Sequence, residues 1–229
     1  MSKVILFGTG GGADTAYRYI TKDTSHEVVA FTVDGSRKDR DTYHGLPVVE
    51  FEVLQKFYPA DDFKMFILLG FDNMSKLRIQ KYKEAKAKGY SLISYVASDI
   101  FRIEEIQVGE NCFILEKQTI NLDAKIGNNI VMWSGNHIGD RTVIEDNVWI
   151  SSQVVIGGDV RIGEGTFIGM NATIAHSVSI GRRNFIGSGA LITRSTKDGG
   201  VYVQERNKPL NIDSDTFSQM TSCEQPQPK

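Results

Sequence analysis

The C-terminal half of the chain carries a hydrophobic pattern with a period of six residues. From residue 108 to residue 192 every sixth position is a medium-sized aliphatic side chain, and the pattern holds at fifteen successive positions. Glycine often follows the aliphatic residue, and the residue two places before it is usually small or β-branched. The fifteen residues are Val108, Ile114, Ile120, Ile126, Met132, Ile138, Ile144, Ile150, Ile156, Ile162, Ile168, Ile174, Ile180, Ile186 and Ile192. Such a repeat is typical of a parallel β-helix, in which each hexad supplies one short strand and one corner.

The period also predicts the dimensions of this β-helix. Each aliphatic side chain points inward to fill a narrow prism, and the glycine after it is expected to relieve the backbone at the corner. Three hexads close one coil, so residues 18 positions apart stack on one another. The repeat then makes five coils, and the prism is roughly 24 Å tall at about 4.8 Å per strand spacing. Spacing does not fix the hand of the coil, and the usual rule for parallel crossovers favours a right-handed one.

The first 97 residues follow a different pattern, in which short β-rich runs alternate with amphipathic stretches. This alternation predicts a small α/β domain with parallel strands and crossover helices. Strands are predicted at residues 3–7, 27–33, 65–69 and 91–96, and helices at 13–21, 50–57 and 74–88. We therefore expect a Rossmann-like α/β domain at 1–100, a β-helix domain at 101–200 and a partly mobile C-terminal extension at 201–229.

Composition and charge narrow the function classes. The 26 basic and 28 acidic residues give a formal net charge of −2, which argues against a nucleic-acid-binding protein. The basic residues of the third predicted helix, including Arg78 and Lys81, fit a solvated helix face. Cys112 and Cys223 are too few and too far apart for a disulfide framework or a metal cluster. Since no stretch approaches the roughly 18 apolar residues of a membrane span, we expect a cytoplasmic protein.

A glycine-rich turn at residues 8–12 lies between the first predicted strand and the first predicted helix. Its amides and the helix N-terminus could hold a phosphate, and Asp34 at the end of the next strand could accept a hydrogen bond from a ribose or a base. The same turn is also compatible with simple packing of helix on sheet. The dinucleotide pattern G-x-G-x-x-G fails at its last position, where Ala13 stands.

Stacking at intervals of 18 residues predicts one outward column of Asp140, Gly158, His176 and Arg194. A carboxylate, a bare backbone, a histidine and a cation in this order suit an extended acyl donor with its thioester beside Gly158 and its phosphates higher in the column. Exposed corners are also polar by default, so the column does not require a ligand. Further cations gather near the end of the repeat, where a diphosphate would need them: Arg182, Arg183, Lys197, Arg206 and Lys208.

Taken together, the two halves resemble the hexapeptide-repeat nucleotide-sugar acetyltransferases, a group that includes bacillosamine and perosamine N-acetyltransferases and proteins labelled sialic acid O-acetyltransferase. The resemblance covers residues 3 to about 203. It rests on the turn at 8–12, Val33 and Asp34, the Gly-Phe-Asp-Asn of 70–73, the hexad repeat, and the Ser-Gly-Asn-His-Ile-Gly of 134–139. It implies a left-handed β-helix, acetyl-CoA as co-substrate, and a homotrimer with active sites between neighbouring subunits.

The resemblance also implies roles for single residues. In the family the turn and the acid hold the nucleotide sugar, which implies this role for Gly10, Gly11, Asp34 and Asn73. Independently of the resemblance, the stacked column assigns acyl-donor binding to Gly158, His176 and Arg194.

The position of the family's catalytic histidine is taken by Asp140, and Arg141 stands where a carboxylate normally follows. This departure leaves three alternatives for the proton: Asp140 accepts it, His137 reaches in, or no side-chain base is needed. His137 lies beside the inward Ile138 and could equally be packed at a subunit contact.

The function implied is acetyl-CoA-dependent N-acetylation of a nucleotide-linked amino-dideoxy sugar, for example a dTDP- or UDP-4-amino-4,6-dideoxyhexose, for a surface glycan such as the O-antigen of lipopolysaccharide. The alternatives are a sugar O-acyltransferase and a non-catalytic β-helix binding protein, since the usual histidine is absent.

Trp133, Trp149 and Met170 are expected to point outward and to be buried between subunits of the trimer.

Overall fold

A computed structural model describes residues 1–100, 106–205 and 208–221. The N-terminal part is a five-stranded sheet in the order β3-β4-β2-β1-β5, parallel except for the β3–β4 hairpin. The strands are β1 (Lys3–Phe7), β2 (Glu27–Val33), β3 (Thr42–Tyr43), β4 (Leu46–Glu50) and β5 (Phe63–Ile67). The predictions for β1 and β2 are confirmed at both ends, and β5 begins two residues earlier than predicted. The prediction of an N-terminal α/β domain is therefore confirmed.

Three helices of this part were predicted, and two of them are α-helices. The predicted helices at 13–21 and 74–88 correspond to α1 (Gly11–Asp23) and α2 (Asp72–Ala87). Residues 50–57 were predicted as a helix, but Phe51–Lys56 forms a 3₁₀ turn that buries Phe51 and Leu54. An apolar spacing of three residues fits both kinds of helix. A second 3₁₀ turn, Gly35–Arg37, follows β2.

The rest of the chain winds into a parallel β-helix with three sheets. Sheet I contains Gln107–Val108, Lys125–Ile126, Val143–Ile144, Arg161–Ile162 and Ser179–Ile180. Sheet II contains Tyr95–Val96, Phe113–Ile114, Val131–Met132, Trp149–Ile150, Phe167–Ile168, Phe185–Ile186 and Val201–Tyr202. Sheet III contains Thr119–Ile120, His137–Ile138, Val155–Ile156, Thr173–Ile174 and Leu191–Ile192. Within the hexad repeat, paired strands are 18 residues apart in register, as predicted.

The corner glycines have a different role from the one predicted. Gly139 does not adopt a left-handed conformation, but a Cβ there would lie 2.3 Å from the backbone nitrogen of Gly158 in the next coil. The glycine is therefore required by the close approach of two coils. The left-handed residue is the third after the aliphatic, as at Arg141 (φ 57°) and Asn147 (φ 66°). Asparagine, aspartate and glycine tolerate this conformation best and are frequent at this place.

Polar contacts attach the α/β part to the first coils of the β-helix. The side-chain amide of Asn111 exchanges two hydrogen bonds with the backbone of Ile67, at 2.8 and 3.0 Å. It also begins a ladder of side-chain hydrogen bonds through Asn129 and Asn147, at 2.8 Å each. Arg78 of α2 is fully buried and donates to the backbone oxygens of Asn129 and Asn147. The prediction of a solvated helix face is therefore wrong at this residue.

The predicted strand at 91–96 is also wrong in its placement. Leu92 forms only an isolated bridge with Met65 of β5, whereas Tyr95–Val96 pairs with Phe113–Ile114 and starts sheet II. One continuous core of buried side chains accordingly runs from β1 and β5 into the prism. Within the predicted extension at 201–229, the structure describes a further helix, α3 (Ser214–Thr221).

Candidate functional site

The carboxyl ends of β1, β2 and β5 lie side by side at one edge of the α/β sheet, because the three strands are parallel neighbours. β1 leads into the turn at 8–12, Asp34 follows β2 directly, and residues 70–73 come after β5. The chain crosses from β1 to β2 on one side, and β5 lies on the other. The crevice between the ends of β1 and β5 is therefore a topological switch point, where open α/β sheets bind ligands.

The glycines of the turn fall into two classes. A Cβ at Gly12 would lie 2.4 Å from the carbonyl oxygen of Leu68, so this glycine permits close packing against the end of β5. A Cβ at Gly10 or Gly11 would meet no atom within 4 Å. The packing explanation of the turn thus accounts for Gly12, while Gly10 and Gly11, at the N-terminus of α1, border open space.

Asp34 forms an ion pair with Lys81, which is buried although a solvated helix face was predicted for it. The Lys81 ammonium lies 2.6 Å from Asp34 Oδ1 and 2.7 Å from Glu84 Oε2, and only 7% of its side chain is exposed. Burial acts to lower the pKa of Lys81, but the hydrogen bonds to the two carboxylates outweigh it and raise this pKa. Asp34 is therefore a fixed acceptor at this edge of the sheet. Asn73 is exposed there and has a left-handed backbone (φ 49°).

The predicted column of Asp140, Gly158, His176 and Arg194 lies at the corner between sheets III and I, called here the III–I corner. The carboxylate of Asp140 lies directly against Gly158, since a Cβ on that glycine would be 2.6 Å from Asp140 Oδ1. A side chain at position 158 would therefore displace the carboxylate.

Arg141 connects the carboxylates of this corner. It pairs with Asp140 and donates to the two oxygens of Asp159 at 2.6 and 2.7 Å. The guanidinium lowers the pKa of Asp159. His176 Nε2 lies 3.6 Å from Asp159 Oδ2, and 64% of the His176 side chain is exposed. The corner is thus an open, charged surface on which Arg141 fixes the carboxylates of Asp140 and Asp159.

His137 lies on sheet III and not at the corner. It is half-buried and pairs in register with Thr119 below and Val155 above. Within the part of the chain that the structure describes, its imidazole makes no hydrogen bond or ion pair. Asp140 and His137 therefore belong to adjacent surfaces of one coil, a corner and a flat face.

The predicted cation cluster is not gathered around one column. Arg182 and Arg183 lie at the corner between sheets I and II, whereas Arg194 lies at the III–I corner. Arg206 lies outside the described residues. Of the predicted cations that the structure describes, Arg194 is the one that shares a column with Asp140.

Sequence reasoning missed an aromatic pocket with a volume of about 720 Å³ on the upper coils of sheet II. Trp149, Phe167 and Phe185 stack in register at intervals of 18 residues, and Phe71 packs on them from the loop after β5. Trp149 is 7% exposed, so the prediction that it is buried by another subunit is wrong: its own α/β domain covers it. The aromatic residues at outward positions of the repeat could have indicated such a pocket. The contact with Phe71 could not be predicted, because Phe71 is distant in sequence.

The described residues contain no group of three or more His, Cys, Asp and Glu side chains suited to a metal ion. Among the helices that the structure describes, none has both the length and the apolar character needed to cross a bilayer.

Comparison with known proteins supports the repeat and the fold. The family model described as bacterial transferase hexapeptide (six repeats) matches residues 141–174 and 159–194. A search of curated proteins found no match.

Solved structures match over most of the chain. Perosamine N-acetyltransferase from Caulobacter crescentus, solved as a histidine-to-asparagine mutant with CoA and GDP-perosamine, is 21% identical with a TM-score of 0.78, over 88% of this chain and 93% of that one. The acetyltransferase domain of PglB from Neisseria gonorrhoeae, in complex with acetyl coenzyme A, is 20% identical with a TM-score of 0.76, over 91% and 98%. WeeI from Acinetobacter baumannii is 15% identical with a TM-score of 0.55, over 88% and 96%.

These matches span both parts of the chain. They confirm the predicted combination of an N-terminal α/β domain with a left-handed parallel β-helix, and with it the predicted resemblance to the hexapeptide-repeat sugar acetyltransferases in fold.

Proposed function

We propose that the chain is an acetyl-CoA-dependent N-acetyltransferase that acts on a nucleotide-linked amino-dideoxy sugar. The observation that carries this proposal is the pairing of two features in one fold. An open crevice at Gly10 and Gly11 suits a nucleotide, and a carboxylate, Asp140, lies against the bare backbone of Gly158 on a β-helix corner. The matched enzyme from Caulobacter crescentus was solved with CoA and GDP-perosamine, which supports the same two ligand classes here.

In the proposed reaction the neutral sugar amine attacks the thioester carbonyl of acetyl-CoA. A C–N bond forms, the C–S bond breaks, and a backbone amide near Gly158 stabilises the oxyanion of the intermediate. Asp140 accepts the proton that the amine loses and passes it to the departing thiolate, so that coenzyme A leaves as the thiol. His176 and Arg194 extend the same column toward the phosphates of the donor.

Transfer to nitrogen is favoured over transfer to oxygen by the chemistry of Asp140. An amine is already a competent nucleophile near neutral pH, so it tolerates a weak base. A hydroxyl acceptor depends more strongly on a base, whose contribution is about 10²–10⁴-fold. The substitution of the family's imidazole by a carboxylate therefore disfavours the O-acyltransferase alternative.

A homotrimer would complete the site. The III–I corner lies at one edge of sheet III, and the aromatic pocket on sheet II lies beyond the other edge. Within one subunit the two are therefore too far apart to form a single site. Sheet III exposes Val155 and Leu191, by 45% and 63%, and nothing in the described chain covers these side chains. If sheet III packs around a threefold axis, the III–I corner of each subunit meets the II–III corner of its neighbour.

The product class suggests the setting of the reaction. N-acetylated amino-dideoxy sugars suit surface glycans such as the O-antigen of lipopolysaccharide. Acetyl-CoA as donor puts the proposed reaction in the cytoplasm.

Release of coenzyme A thiol tests the proposal. Purified protein is incubated with acetyl-CoA and a panel of dTDP-, UDP- and GDP-linked 4-amino-4,6-dideoxyhexoses, with the corresponding sugars lacking the amine as controls. We expect thiol release that depends on the amine. Release with the control sugars to the same extent would favour O-transfer, and no release with any sugar would favour a binding protein without catalysis.

A further inference from the structure

We propose that Arg141 is a positioning residue for the proposed acetyl transfer. It holds one carboxylate oxygen of Asp140, so that the other oxygen faces Gly158 and accepts the proton of the amine. Asp159, one coil above, anchors Arg141 in this position. The inference rests on the proposed function and deepens it by naming the atom that takes the proton.

The two oxygens of the Asp140 carboxylate have different surroundings. Oδ2 is paired with Nη1 of Arg141. Oδ1 is the oxygen that lies against Gly158, since a Cβ on that glycine would be 2.6 Å from Oδ1 and 3.3 Å from Cγ. Oδ2 thus already accepts from the guanidinium, whereas Oδ1 is turned toward the place proposed for the thioester. Oδ1 is therefore the oxygen placed to receive the proton.

All three nitrogens of the Arg141 guanidinium are engaged. Nε and Nη2 donate to Oδ1 and Oδ2 of Asp159 at 2.6 and 2.7 Å, which leaves Nη1 for Asp140. Two parallel hydrogen bonds from a planar guanidinium to one carboxylate fix the orientation of the guanidinium as well as its distance. Asp159 therefore sets the direction in which Nη1 points.

The backbone fixes the place of this anchor. The amide of Asp159 donates to the carbonyl oxygen of Asp140 at 2.9 Å, so the two residues stand in successive coils and in register. His176 Nε2 lies 3.6 Å from Asp159 Oδ2, which is too far for a hydrogen bond. The hydrogen bonds of the Asp159 carboxylate among the described residues are therefore those from Arg141.

An ion pair on the surface without a role in the reaction is one alternative. Arg141 and Asp140 are 54% and 42% exposed, and exposed pairs usually add little to stability. The bidentate anchor favours positioning, because it restricts the geometry of Arg141 even where it adds little stability.

Direct contact of Arg141 with a phosphate of the acyl donor is a second alternative. The guanidinium already pairs with two carboxylates, Asp140 and Asp159, which offset its charge and disfavour an anionic ligand. The observations therefore favour an action of Arg141 through Asp140.

The role is tested by thiol release from acetyl-CoA in the full-length protein. The acceptor is whichever dTDP-, UDP- or GDP-linked 4-amino-4,6-dideoxyhexose gives the highest rate with wild type. Arg141→Gly is the main variant, because glycine adopts the left-handed backbone of residue 141 (φ 57°) without strain. Arg161→Ala is the matched control, since it removes an arginine of similar exposure (61%) that pairs with Glu145 on sheet I. Arg141→Gly is also made in the Asp140→Asn protein.

We expect Arg141→Gly to lower kcat about tenfold and to change the KM of either substrate less than twofold. In the Asp140→Asn protein the same change should cost less than twofold, because the carboxylate through which Arg141 acts is already missing. Asp159→Asn, which weakens the anchor, should lower kcat about threefold. Arg161→Ala should behave as wild type.

Chemical rescue separates positioning from a general structural effect. Millimolar ethylguanidinium should restore part of the kcat of Arg141→Gly, whereas ethylammonium, which has the same charge and no planar fork, should not. For the same reason Arg141→Lys should stay impaired.

The proposal is overturned if Arg141→Gly keeps kcat within twofold of wild type. It is also overturned if the change costs as much in the Asp140→Asn protein as in wild type, because Arg141 would then act independently of Asp140. A raised KM for acetyl-CoA with unchanged kcat would instead assign Arg141 to donor binding. A wild type that releases no thiol with any of the sugars refutes the proposed function and this role with it, whereas an active wild type with an unaffected Arg141→Gly refutes the role alone.

Discussion

Replacing Asp140 with asparagine removes the proposed proton acceptor and keeps the size and polarity of the side chain. The structure indicates that the corner tolerates this change, because Arg141 retains its two hydrogen bonds to Asp159. Among the described residues, neither neighbour of Asp140 in the column is a carboxylate, since Leu122 lies one coil below and Gly158 one coil above. Because the amine is itself a good nucleophile, the loss should lie at the lower end of what a general base contributes. We expect kcat/KM to fall about 10²-fold.

The assay is the initial rate of coenzyme A thiol release at saturating acetyl-CoA, with the sugar nucleotide varied. The KM for acetyl-CoA and the far-ultraviolet circular dichroism should not change. Asp123→Asn is the matched control, since Asp123 is an exposed carboxylate at the same corner, and this variant should retain the wild-type rate. A rate in Asp140→Asn within threefold of wild type would refute the role of Asp140. A rate that instead follows the titration of the substrate amine, equally in wild type and variant, would show that no side-chain base is needed.

Three further predictions concern residues near and far from this corner. His137→Asn, on the flat face of sheet III, should lower kcat/KM less than threefold; a larger fall than in Asp140→Asn would make His137 the base. Light scattering should give a trimer, and Leu191→Glu should dissociate it because a charge would lie in the proposed interface; a wild-type monomer at micromolar concentration would contradict this. Burial raises the pKa of Cys112 to about 11. The variant Cys223→Ser leaves Cys112 as the one thiol, which should therefore resist thiol reagents at pH 8 until urea unfolds the protein. Because the thiol loses its proton more readily in the unfolded chain, the free energy of unfolding should fall as the pH rises from about 9 toward 11.

The β-helix was predictable because the environment of each residue repeats. An inward position in one coil is inward in every coil, so the aliphatic series from Val108 to Ile192 predicted strands and register together. The role of the corner glycines was not predictable from one coil. Gly139 is needed because the backbone of Gly158 passes above it, and this contact exists only once two coils are stacked.

The contacts between the two parts of the chain were beyond sequence reasoning. Arg78 and Lys81 look like ordinary members of a charged helix, yet one is buried against the β-helix and the other holds Asp34. Trp149 was correctly read as outward, but the surface that covers it is Phe71 and α2 of the same chain. Local pattern predicts which way a side chain points and not which distant segment it meets.

The central claim is the transfer of an acetyl group to the nitrogen of a nucleotide-linked amino sugar. Mass spectrometry of the reaction with acetyl-CoA and a nucleotide-linked 4-amino-4,6-dideoxyhexose tests it most directly, with fragmentation to locate the new group. The account predicts a sugar nucleotide that is heavier by one acetyl group on its amine, formed in equal amount to free coenzyme A. An acetyl group on a hydroxyl, or unchanged sugar nucleotide after prolonged incubation with folded protein, would contradict it.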